Sequence, residues 1–176
     1  MVITWREFWT VIHGMGLGSL FFIAFSGILV ALWNLCPERV GVEESLKRVR
    51  QLGIAIWSTA IILWATVITG TYTVYIWYRA QPPAGADLAQ FPRSYLLSSP
   101  DRAGWHTFGM EWKEHIAWLA PILVTAVAYI ITRYGTKLVE EEKIRKATAV
   151  IFSIAFFASA VAVAFGAFIN KMAPIR

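Results

Sequence analysis

Four runs of this 176-residue chain contain no Asp, Glu, Lys or Arg: Phe8 to Asn34, Leu52 to Tyr78, His115 to Thr132 and Ala147 to Asn170. At 1.5 Å per residue, roughly 20 apolar residues carry a helix across a hydrocarbon layer ~30 Å thick. The sequence therefore predicts an all-α integral membrane four-helix bundle. Its helices are expected over about 5–34, 51–79, 106–134 and 147–171, in one membrane domain covering 1–176. Only 15% of the residues are charged and 57% are hydrophobic, whereas soluble domains carry about 25% charge. The first run exceeds the apolar core of a secretory signal, and no small-residue cleavage site follows it before Cys36-Pro37, so it is read as the first span.

With four spans, the termini and the 80–105 segment share one side, and the 35–51 and 135–146 segments share the other. The second side holds Arg39, Lys47, Arg48, Arg50, Arg133, Lys137, Lys143, Arg145 and Lys146, close to helix ends; the first holds Arg6, Arg79, Arg93, Arg102, Lys113, Lys171 and Arg176. The positive-inside rule puts the more basic side in the cytoplasm. The expected location is a bacterial-type inner membrane, with both termini outside. The net charge of +5 does not point to nucleic acid, because these residues flank apolar runs instead of forming one patch. Glu43-Glu44 ahead of Lys47-Arg48, and Glu140 to Glu142 ahead of Lys143, Arg145 and Lys146, read as short helix extensions of paired charge. On the outer side, Gln81-Pro82-Pro83 stops helix two, and Phe91, Tyr95, Leu96 and Leu97 make the 80–105 loop an interfacial cap. Gly14 with Gly18, and Ala158, Ala162 and Gly166, give small faces for close helix packing, while Pro121 is expected to kink helix three.

The chemistry-bearing residues gather on the outer side. All three histidines, His13, His106 and His115, lie there. Counted from the inner helix ends, His13 stands about 31 Å deep and His115 about 27 Å. Two imidazoles at one depth on different helices are what a b-type haem needs for its two axial positions. His13 and His115 are the expected pair, with Gly14 and Gly16 leaving room for the macrocycle, and with Lys113, Arg93 and Arg102 pairing with the propionates. His106 would lie about 13 Å beyond His115 on a continuous helix. Other uses stay open at this point. Glu111, Glu114 and His115, with His13 or His106, have the chemistry for a metal ion. A lone membrane histidine can hold a chlorophyll magnesium, and a carboxylate can accept a proton from a quinol. The bland reading is interfacial histidines bonded to their neighbours.

No phosphate-cradling glycine motif or nucleophile set is present, and the single Cys36 excludes both an internal disulfide and a Cys-x-x-Cys-His haem attachment. The segments His13-Gly14-Met15-Gly16 and Trp105 to His115, in their four-span setting, resemble the small four-helix membrane b-type cytochromes that serve as subunits of bacterial electron-transfer complexes. The likeness extends over residues 5–170. It implies an electron-relay subunit, not itself a catalyst, carrying one haem b near the outer face of a respiratory or photosynthetic complex. Its partners would be other membrane subunits, lipid and a quinone. Members with two haems typically carry four histidines, and this chain has three. The alternative expectation is a structural accessory subunit without cofactor, or a chlorophyll-binding one.

Overall fold

The computed structural model describes residues 3–36 and 41–175, apart from the Val42 side chain. Arg39 and Arg176, counted in the charge balance, fall outside them. The fold is 85% helical, with no strand among the described residues. Its elements are α1 (Trp5–Asn34), α2 (Glu43–Tyr78), α3 (Pro92–Leu97), α4 (Pro100–Tyr134), α5 (Lys137–Glu140) and α6 (Glu142–Met172). Four of them, α1, α2, α4 and α6, are long and apolar enough to cross a membrane, making this a multi-pass membrane protein.

Three of these helices begin earlier than the sequence leads one to expect: α2 at Glu43 instead of 51, α4 at Pro100 instead of 106, α6 at Glu142 instead of 147. A charge-free run marks hydrocarbon, whereas a helix continues wherever its residues favour it. At the basic end, Arg48 Nε lies 2.9 Å from Glu44 Oε1 and Lys146 Nζ 2.6 Å from Glu142 Oε1, each four residues apart. Such exposed pairs contribute only tenths of a kcal/mol, but Glu, Lys and Arg are also good helix formers. At the other end, Pro100 opens α4 from the first helical position, where its missing N–H costs nothing. The cap therefore ends at Ser99, and residues 100–105 already belong to the third span. Thr4 and Glu7 close a reciprocal capping box at the start of α1.

Between a fifth and a third of each apolar window is buried inside the bundle, so the larger part of every long helix faces outward. Ile23, Ile61 and Phe157 are exposed there, as lipid-facing residues should be. Lipid gives apolar faces no reason to leave it, so close packing and hydrogen bonds between helices must hold the bundle. Trp57 and Trp64 of α2 each donate through Nε1 to a threonine hydroxyl of α4, Thr132 at 3.0 Å and Thr125 at 3.1 Å. Phe25 of α1 stacks on Phe156 of α6 with ring centroids 3.9 Å apart. The main core joins Phe21 and Leu32, Ile56 and Leu63, Val124 and Ile131, and Phe152 from the four long helices. Val163 of α6 packs beside Gly18 of α1, at a distance where a Cβ would make ordinary contact.

Pro121 acts where expected. The regular hydrogen bonding of α4 lapses at Ala117 and Trp118 and resumes at Leu119, because Pro121 offers no N–H to the carbonyl four residues earlier. Gly135, at φ +54°, ends α4 in a backbone conformation that a side chain would strain. Arg145 then donates to the carbonyls of Leu138 and Val139, fixing α5 against α6. At the opposite end a second core of Tyr78, Leu96, Met110 and Ile169 binds the cap to the spans, with Leu96 of α3 fully enclosed. Overfilling the main core tests this packing: Ala128→Leu adds volume at a fully enclosed site. It should cost about 1–3 kcal/mol, read as a lowered unfolding midpoint in detergent.

Candidate functional site at the histidine end

The histidine end departs from regular α-helix in three places. Residues Ile12–Leu17 of α1, Gly70–Val74 of α2 and Trp105–Met110 of α4 form wider turns, with main-chain bonds reaching five residues instead of four. Such turns collect at functional positions. Two of them carry His13 and His106, and the third carries the glycine on which His13 rests.

His13 projects from its widened turn onto α2. Its Nδ1 lies 2.8 Å from the Thr66 carbonyl oxygen, which can only accept, so Nδ1 is the donor. The Gly70 N–H is shared between the carbonyls of Thr66 and Val67 at this junction. A Cβ added at Gly70 would stand 2.4 Å from His13 Cε1, so only glycine admits the ring here. In the neutral ring this leaves Nε2 with its lone pair unengaged. Lys113 of α4 comes close enough for its charge to act on His13, and its stem crosses Gly166 of α6, whose missing Cβ would lie 3.2 Å from Lys113 Cε.

His106 is only 6% exposed and both its nitrogens are engaged. Arg93 Nε, a donor in every state, lies 3.3 Å from Nε2; Nδ1, 2.9 Å from the Tyr78 hydroxyl, therefore carries the proton. Glu111 Oε1 stands 4.0 Å from the same Nε2, a partner only for a protonated ring. Tyr75 and Glu114 meet beside this set, and Glu114 Oε1 is buried without a hydrogen-bond partner. The result is a polar band from α3 through α4 to α2.

His115 lies exposed on α4, with Nδ1 2.6 Å from its own helix's Glu111 carbonyl. Two residues correspond to about 200° of helix rotation. With Lys113 turned toward α6 and His13, His115 points away from them. His13 and His115 thus share an anchoring pattern but do not face one gap. The remaining expected residues are also placed differently from the sequence reading. Gly14 has open space around it and Gly16 meets only its own helix, so neither flanks His13 across the bundle. Arg93 is taken up by His106, and Arg102 lies 4.0 Å over the Tyr95 ring and donates to Ser98. Among the described residues no three His, Cys, Asp or Glu side chains are grouped to hold a metal ion, so Glu111, Glu114 and His115 are not gathered with either His13 or His106. Glu111 is half exposed beside His106, while Glu114 turns to Tyr75.

Thr66, Gly70 and Tyr78 are the contributors that sequence reasoning missed. Their signal, Thr66 and Gly70 four apart in an apolar run, is a common packing pattern. No family model, curated protein or solved structure matches this chain.

The seat of His13 gives a test by non-additivity. Gly70→Ala must displace the ring and break its bond to Thr66, lowering stability by about 1–3 kcal/mol. In a His13→Ala background the same change should cost far less, and a double-mutant cycle of detergent unfolding midpoints would show the coupling.

Proposed function

We propose that this chain is an electron-transfer subunit of a larger complex in a bacterial-type inner membrane, holding a b-type haem near the outer face through His13. One observation carries the reading: His13 donates Nδ1–H to a main-chain carbonyl, which leaves Nε2 as the lone-pair nitrogen of the neutral ring. Histidines that bind metals are oriented in this way, with the second nitrogen tied back to fix ring and tautomer. The Thr66 carbonyl and Gly70 hold the ring from α2, so the ligand is set by contacts between two spans.

When bound, the haem would supply a one-electron couple tuned by its axial ligand and surroundings. His115 has the same donor chemistry on the exposed side of α4, where it would serve a group shared with a neighbouring subunit. His106 is committed to Tyr78 and Arg93 and is not read as a ligand. Lys113, whose charge acts on His13 and whose stem crosses Gly166 of α6, is the residue this reading assigns to a propionate. Glu111, at the exposed edge of the polar band, and Glu114, inside it, are the carboxylates available to accept protons from a quinol.

The test is a reduced-minus-oxidised visible spectrum of the purified chain and of any complex isolated with it, together with pigment extraction. A b-type band is expected in the native protein, lost in His13→Ala and kept in His106→Ala. His115→Ala should keep the band in the isolated chain and alter it only in the complex. A native spectrum without haem bands overturns the proposal in favour of an accessory subunit, and an extracted chlorin overturns it in favour of pigment binding.

A further inference from the structure

The basic end of the bundle carries a second feature, independent of the histidines. A groove of about 340 Å³ runs between α1 and α2, within the size range of ligand sites. Gly27 and Ala31 of α1 and Ala55 of α2 keep it open, the buried Ile28 and Leu52 form its floor, and Arg48 stands at its mouth. A second, almost wholly apolar hollow lies on the other flank of α1, lined by Val30 and Trp33, and the two hollows meet at Asn34.

We propose that this double hollow seats one anionic phospholipid, its two acyl chains on either side of α1 and its phosphate on Arg48. The branching at Asn34 matches a diacyl lipid, whose chains part just below a polar headgroup. Charge selects the headgroup: Arg48 has Lys47 and Arg50 beside it in sequence. Its contact with Glu44 uses Nε alone, between two partly exposed side chains. Both terminal nitrogens remain available to a phosphate, which a guanidinium can grip with two parallel bonds.

Native mass spectrometry of the detergent-solubilised chain, titrated with phosphatidylglycerol or phosphatidylcholine of the same chain length, tests the proposal. The native protein should retain the anionic lipid roughly fivefold better, as expected for one basic residue at an anionic headgroup. Arg48→Gln should bring it down to the phosphatidylcholine level. Ala31→Phe, which fills the groove from an exposed position, should reduce retention of both lipids; Ala55→Val is the milder substitute if that variant fails to fold. Equal retention of the two lipids, or a preference that survives Arg48→Gln, overturns the headgroup assignment. Retention unchanged in a folded groove variant overturns the groove. Displacement of phosphatidylglycerol by excess inorganic phosphate would show a site for the anion alone, and would equally overturn the lipid.

Discussion

In hydrocarbon an unpaired main-chain N–H or C=O has no water to turn to, and each one costs several kcal/mol. That constraint explains more of this molecule than any single contact. It makes the four spans helical, and it governs how their polar side chains behave. Thr59, Thr69, Thr125 and Thr148 each return a hydroxyl proton to the carbonyl four residues earlier, so a potentially costly group is satisfied without leaving its helix. The same threonine oxygens can still accept, and Thr125 and Thr132 use this to receive the indole N–H groups of Trp64 and Trp57. Polar residues thereby become links between spans.

Departures from regular helix are tolerable where another partner is supplied, as two of the widened turns illustrate. At the α2 turn the Thr66 carbonyl accepts from Gly70 and also from His13, using both lone pairs. In α4 the widened turn turns His106 inward, where Tyr78 and Arg93 satisfy both ring nitrogens. The basic end has no such turn among its described residues, and three of its charges, Arg48, Lys146 and Arg145, are held by neighbours on the same or the next helix. The asymmetry between the ends is thus one of main-chain geometry as much as of charge.

The spans and their number were legible because hydropathy reports the solvent directly. Helix ends were not, since α2 and α6 continue into water on favourable local sequence. A fixed rise per residue gives depth only as an expectation, and it says nothing about direction around the axis. His115 lies exposed while Lys113, two residues earlier, turns toward α6 for that reason. Gly14 and Gly16 are neighbours of His13 in sequence, yet the glycine that admits its ring is Gly70, on another helix. Contacts between spans are set by helix rotation, and a widened turn changes that rotation with no mark in a hydropathy pattern. Arg93 lies in the cap as expected, whereas Arg102 belongs to the first turns of α4, and the partners of both depended on where α3 packs.

The two anchored imidazoles can be separated by what each would ask of a bound group. His13 is held by a carbonyl and a glycine of a different helix, so its position depends on the packing of α1 against α2 and is fixed once the bundle forms. His115 is held by its own helix, four residues back, and looks outward. Any group it binds must take its remaining contacts from outside this chain. On the proposed function the first site would belong to the fold and the second to an assembly, so that haem loss in the isolated chain would report on His13, and His115 would be read in a complex that covers its exposed face.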